Sequence, residues 1–203
     1  MTNLLLGTNN QNKVKEFNEI FKSLDIKLVT LKDININIDV EETGTTFEEN
    51  ALLKAKGIYE SQTSLVKLPV IAEDTGLCID ALGGEPGVRS KRFYEDEGKT
   101  EHEGNLMIID KLKDVPLKCR TARYITVLCF YDGTNTIIAE GRSEGFIANK
   151  EIGTNGFAYD PIFISSDYNK TFGELSDEEK NSVSHRKKGI MNLLEKVTHI
   201  INK

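Results

Sequence analysis

Two long runs of strand-forming residues, Arg120 to Tyr131 and Thr136 to Ala148, flank Asp132-Gly133-Thr134-Asn135, and nothing else in the chain restricts its fold as much. An Asp-Gly pair between such runs is a strong hairpin signal, so any fold must hold two long strands side by side. The other elements are arranged around this hairpin. Asn3 to Thr8 is a short apolar run ending in an Asn-rich turn and reads as a buried strand. From Asn12 to Leu24, Val14, Phe17, Ile20, Phe21 and Leu24 recur at helical spacing on one face, with Lys13, Lys15, Glu16 and Lys22 on the other. Ile26 to Leu31 predicts a further strand. Ile34, Ile36, Ile38 and Val40 alternate with polar residues, the period of a half-exposed strand or an extended arm. Thr45-x-x-Glu48 and Thr46-x-x-Glu49 are overlapping capping boxes that open a helix running to about Gln62.

Pro69 to Glu73 is a strand-like run that stops at Asp74-Thr75-Gly76 and resumes as Leu77 to Leu82. Charged residues interrupting an apolar run mark a candidate site. After the breaker cluster Gly83 to Gly87 a helix is expected between Thr100 and Lys113, then a strand at Pro161 to Ile164 and a terminal helical region from Ser176 to about Ile201. Strands and helices intermixed without a repeat or linker predict one mixed α/β (α+β) domain over residues 1–203.

Composition narrows the function classes. Against 26 Lys and Arg stand 32 Asp and Glu, a formal charge of −6, which argues against broad nucleic-acid binding. Cys78, Cys119 and Cys129 form no C-x-x-C pair, so buried thiols are expected rather than a disulfide framework or a zinc site. The apolar run in MTNLLLGTNNQNK is too short for a signal peptide and no stretch approaches ~20 apolar residues, so a cytoplasmic protein with no membrane partner is expected.

Four places carry candidate chemistry. In Thr8-Asn9-Asn10-Gln11-Asn12-Lys13, side-chain amides, the N–H groups of a helix start and one ammonium meet. This is either an anion cradle or simple capping by Asn, and without GxxxxGK[ST] it is not a P-loop. Glu41 and Glu42, with Glu73 and Asp74, are hard oxygen ligands that suit Mg²⁺; the alternative is separate surface charges. That alternative is weaker for Glu73 and Asp74, which follow Val70, Ile71 and Ala72 and would lose solvation unless partnered. In Gly153 to Pro161, Phe157 and Tyr159 offer flat faces on which a base can stack, or they anchor the loop to the core. Last, Lys180, Ser184, His185 and Arg186 place donors near the terminal helix, or form a solvated face.

Taken in order, TNNQNKVKEF, EETGTTFEENALLKAKG, AEDTGLCIDALGGEPG, GFAYDPIF and SHR span nearly the entire chain and resemble the inosine triphosphate pyrophosphatase family. The resemblance implies a long central mixed sheet with two α/β lobes enclosing a nucleotide cleft, a homodimer, and a requirement for Mg²⁺. It implies hydrolysis of ITP, dITP and XTP to the monophosphate and pyrophosphate, which cleanses the nucleotide pool. Carried onto this chain, it makes Thr8, Asn9, Asn10, Gln11, Asn12 and Lys13 a triphosphate-binding loop and Asp74 the general base. Glu41 and Asp74 become metal-site residues, with Glu42 and Glu73 as alternates. Thr75 contacts substrate, Lys54 and Lys180 face phosphate, and Phe157, Ala158, Tyr159, Asp160, His185 and Arg186 hold the purine. Asn9, Glu73 and Ala158 depart from the family's commoner Gly, Asp and Gly, and Lys187-Lys188-Gly189 has no assigned role. Two other readings stand beside this one: a pyrophosphatase for modified pyrimidine or methylated nucleotides, and a nucleotide-binding regulator without catalysis.

Overall fold

A computed structural model describes residues 2–22, 24–63 and 67–201. In chain order the elements are β1 (Thr2–Leu6), α1 (Gln11–Phe21), β2 (Ile26–Thr30), α2 (Phe47–Ser61), β3 (Val70–Ile79), α3 (Arg92–Glu95), α4 (Glu101–Lys111), β4 (Thr121–Tyr131), β5 (Thr136–Ile147), β6 (Phe163–Ser165), β7 (Lys170–Thr171), α5 (Asp177–Val183) and α6 (His185–Ile201). The strands form one mixed sheet in the order β2-β1-β3-β4-β5-β6-β7. β1 runs parallel to both β2 and β3, whereas β6 is antiparallel to β5 and to β7. The expected mixed α/β fold with a long central sheet is what forms. Among the described residues no helix is long and apolar enough to cross a membrane.

The chain divides into two compact units, one of Met1–Asp74, Thr126–Gly141 and Arg186–Lys203, the other of Thr75–Ile125 and Arg142–His185. Each has its own core. In the first unit Leu4 and Leu6 of β1, Phe17 and Phe21 of α1, and Ile190 and Leu193 of α6 are among the buried residues. In the second, Leu77 and Ile79 of β3 join Tyr94, Ile108, Tyr124 and Phe163.

The long strands around Asp132 form as expected, and the Asp132 carboxylate closes the turn by accepting from the N–H groups of Thr134 and Asn135. In α2 the realised capping box is Thr46 with Glu49; the Glu49 carboxylate also accepts from Thr45, while Glu48 is exposed. Residues 36–44 have no regular secondary structure, yet Ile36, Ile38 and Val40 are half-buried between exposed neighbours, so the segment is an arm rather than a strand.

Four expectations change. Of the thiols expected to be buried, Cys129 is, whereas Cys78 is half-buried and Cys119 is exposed. β3 is not interrupted at Asp74-Thr75-Gly76 but runs unbroken through all ten residues. Its charged side chains stay in the strand because partners compensate the lost water, as described below. The strand expected at Pro161 to Ile164 begins later, at Phe163, after a 3-10 turn at Asp160–Ile162. The terminal helical region is two helices, because Ser184 adopts extended backbone between them. In the helix expected up to Leu24, Ser23 lies outside the described residues.

Gly189 acquires a structural reason. It is buried in α6, and a Cβ there would stand 2.6 Å from Leu128 Cδ1 and 2.8 Å from Thr126 Cγ2. Gly189→Ala therefore overpacks the helix against β4 and should cost about 1–3 kcal/mol, read as a lower midpoint in thermal unfolding. An unchanged midpoint would show that the helix shifts freely.

Candidate active site

Asp74 sits in β3 with its carboxylate almost fully buried. The side-chain amide of Asn50 donates to its Oδ2 at 3.0 Å, and the Lys54 ammonium lies 3.6 Å from its Oδ1. Lys54 also donates to Glu42 Oε1 at 3.0 Å, so one ammonium is shared by two carboxylates. Asn50 and Lys54 are four residues apart on α2 and hence on one face of it. The capping box that starts this helix thus sets the register of both groups toward β3. Burial is the main influence on Asp74 and raises its pKa above the ordinary 3.8; Lys54 and Asn50 only partly offset this, and the Glu42 charge adds to it. The result is a carboxylate more basic than an exposed one. Glu41, the expected metal residue, is exposed, and the neighbouring Glu42 is the one Lys54 holds.

Glu73, the preceding residue, is in a different situation. Its carboxylate accepts from Arg186 Nε and Nη2, from Thr126 Oγ1 at 3.0 Å, and pairs with Lys13 at 3.1 Å. Arg186 Nη1 turns to Glu16, so the guanidinium is engaged on both sides. Burial alone would raise the Glu73 pKa, but the Arg186 guanidinium and the Lys13 ammonium outweigh it and hold the carboxyl well below the usual range. Glu73 is therefore the saturated acceptor of a buried ion-pair network. Its neighbour Asp74 retains basicity. Arg186, assigned to the purine by resemblance, belongs to this network in the first unit; its side chain is 1% exposed.

In the turn after β1, capping describes what the structure shows. Asn10 Oδ1 accepts from the N–H groups of Asn12 and Lys13 at 3.0 and 3.2 Å, and Asn10 N–H donates to Thr8 Oγ1. An incoming phosphate must compete with Asn10 for those two donors. Gln11 donates to the Asn9 carbonyl, and Asn9 Nδ2 donates to the Ile38 carbonyl at 3.1 Å, which fastens this turn to the arm that carries Glu41 and Glu42. Burial lowers the Lys13 pKa, the Glu73 charge opposes that, and the charges of Lys54 and Arg186 add to the lowering.

The second unit holds the remaining candidates. Asp160 Oδ2 accepts from Lys180 at 2.7 Å and from the Phe157 N–H at 2.8 Å. Lys180, expected to face phosphate, is thus buried against Asp160, with its ammonium 4.9 Å from the Phe157 ring centre. Tyr159 is core: its hydroxyl donates to the Ser90 carbonyl at 2.6 Å and its ring meets Tyr94 edge-on. Phe157 is half-buried. His185 lies flat on Tyr124, ring centres 4.6 Å apart. Ala158 adopts φ +52°, the left-handed region that glycine enters without cost. Glu101 accepts from its N–H and Asn105 donates to its carbonyl, so α4 grips the backbone in that conformation. Thr75, after Asp74 in β3, is half-buried.

Sequence reasoning missed Asn50, Glu16, Thr126 and Asn105. Asn50 alone left a signal: it is a polar residue four before Lys54 on the helix face that also carries Ala51, Ala55 and Ile58.

Residues 4–196 match the Ham1 family, and the chain belongs to that family. A dITP/XTP pyrophosphatase of Leptospira interrogans is 44% identical over 198 residues, 95% of this chain and 95% of its own. Another from Oceanobacillus iheyensis is 44% identical over 204 residues, 99% of this chain and 100% of its own. The solved structure of a HAM1 protein from Coxiella burnetii matches with a TM-score of 0.84 at 33% identity, covering 98% of this chain and 100% of that one.

Proposed function

We propose that this protein hydrolyses ITP, dITP and XTP to the nucleoside monophosphate and pyrophosphate, in the presence of Mg²⁺. The observation that carries the reading is Asp74, a buried carboxylate of raised basicity flanked by the Lys54 ammonium and a second carboxylate. Asp74 takes a proton from a water that attacks the α-phosphorus, as a general base must. Lys54 and Lys13 stabilise the charge that collects on the departing pyrophosphate. The relatives' names, dITP/XTP pyrophosphatase, support the substrate class.

Among the described residues no three His, Cys, Asp or Glu gather into a metal-holding group. Mg²⁺ does not need one, since it binds through one or two carboxylates and completes its shell with water and substrate phosphates. Asp74 and Glu42, both beside Lys54, are a donor set of that kind, with Glu41 next in the chain. When bound, the ion would neutralise phosphate charge as a Lewis acid.

The resemblance further supports Phe157 to Asp160 and His185 as purine contacts, a homodimer and a cytoplasmic location. Purine selectivity is expected at position 6, where inosine and xanthosine carry a carbonyl and adenosine an amino group. A site built to bond one of them rejects the other by ~10⁴ because its buried donors are left unpaired.

The test is pyrophosphate release over ITP, XTP, ATP and dUTP, with Mg²⁺ and with EDTA. ITP and XTP should turn over orders of magnitude faster than the others, and EDTA should abolish release. Comparable rates on ATP and ITP, or full activity in EDTA, would contradict the reading.

A further inference from the structure

Asn50 has no exposed surface and lies on a helix face that otherwise buries Ala51, Ala55 and Ile58, so a buried side-chain amide there needs a reason. Both ends of that amide are used. Its Oδ1 accepts from the Gly44 N–H at 2.8 Å, and its Nδ2 donates to Asp74 Oδ2 at 3.0 Å. A backbone N–H can only donate, so the group facing Gly44 is the oxygen and the group facing Asp74 is the NH₂. The orientation is thus set by chemistry, and the NH₂ favours Asp74 as an acceptor, the ionised form. Gly44 makes room for this arrangement, since a Cβ there would stand 2.6 Å from Asn50 Oδ1 and 2.6 Å from Glu49 Cβ.

We infer that Asn50 is a positioning residue for Asp74: held by Gly44 at its oxygen, it donates to Oδ2 and so fixes the orientation of the whole carboxylate, including Oδ1, 3.6 Å from Lys54. In the hydrolysis so positioned, the water O–H bond breaks and its proton goes to the Asp74 carboxylate, the water oxygen's electron pair forms the new bond to the α-phosphorus, and the bond from that phosphorus to the bridging oxygen breaks with its electron pair leaving on pyrophosphate. The same amide fixes the backbone at Gly44, two residues after Glu42, and so ties the base to the loop that carries the second carboxylate. The inference rests on Asp74 being the base.

The experiment is a double-mutant cycle on pyrophosphate release from ITP with Asn50→Ala, Asp74→Asn and both together. Losing a side chain that orients a reacting group typically costs about 10- to 100-fold. Asn50→Ala should therefore lower kcat by that factor with KM nearly unchanged, and should lower it less than about twofold when Asp74 is already Asn. A merely structural Asn50 would produce the same loss in both backgrounds, and that result would overturn the inference, as would a rise in KM with kcat intact. If Asn50→Ala does not fold, Gly44→Ala displaces the amide from its other end and should give the same kcat loss and the same dependence on Asp74; an unaffected Gly44→Ala kcat would overturn it. A wild-type protein inactive on ITP would overturn the underlying function, whereas an active wild type indifferent to Asn50 overturns the positioning role alone.

Discussion

Asp74→Asn should lower kcat on ITP by about 10²–10⁴-fold, the usual contribution of a positioned general base, while leaving the fold intact. The replacement is isosteric and still offers an oxygen to the Asn50 amide, so the loss falls on proton transfer. Stability should move the other way. Because burial raises the Asp74 pKa, the folded state binds this proton more readily than the unfolded chain does. The sign follows: above the raised folded pKa the ionised group disfavours folding, and below the ordinary 3.8 that penalty is gone. Asp74→Asn removes the penalty, so at neutral pH its thermal midpoint should equal or exceed that of the wild type, and the difference should vanish in acid. A variant that is both inactive and unfolded would contradict this division of labour, and near-normal turnover would refute the base.

Glu73→Gln should act in the opposite sense, with its main effect on stability. Removing the carboxylate takes Glu73 from the buried Arg186 guanidinium and leaves it paired with Glu16, and breaking a buried pair in this way costs about 3–5 kcal/mol. For a chain of this size that is a fall of roughly 6–20 °C in the unfolding midpoint. The pH dependence has a definite sign. The Glu73 pKa is depressed on folding, so its stabilisation is present above the ordinary 4.5 and is lost as pH falls below it toward the folded value. Wild-type stability should therefore decline through that acid range, and Glu73→Gln should flatten the decline. Equal acid sensitivity in both proteins would place the titration elsewhere.

These neighbours show how much of the site was legible in the residues. Carboxylates after Val70-Ile71-Ala72 announced a functional strand, because charge beside apolar residues needs a partner. Which carboxylate is neutralised and which stays basic was not legible. That depends on Arg186, 113 residues away in the chain, which neutralises Glu73, and on the burial that raises Asp74 against the opposing Lys54 and Asn50. The same distance effect explains Lys180 and Arg186. Motif order groups Lys180, His185 and Arg186, but Lys180 pairs with Asp160 and Arg186 with Glu73. Local signals fared better. The Asp132 turn, the Thr46 box and the apolar face of α1 are set by residues within a few positions of each other, and those elements formed near the expected boundaries. The unbroken β3 is the counterexample, because a strand read as ending at Asp74 continues once side chains from α1, α2 and α6 satisfy its charges.

The claim on which the account rests is that water, activated by Asp74, strikes the innermost phosphorus of the nucleotide. Hydrolysis of ITP in ¹⁸O-labelled water, followed by mass spectrometry of both products, tests it directly. The label should enter the inosine monophosphate and be absent from pyrophosphate; label in pyrophosphate, or release of orthophosphate, would contradict it.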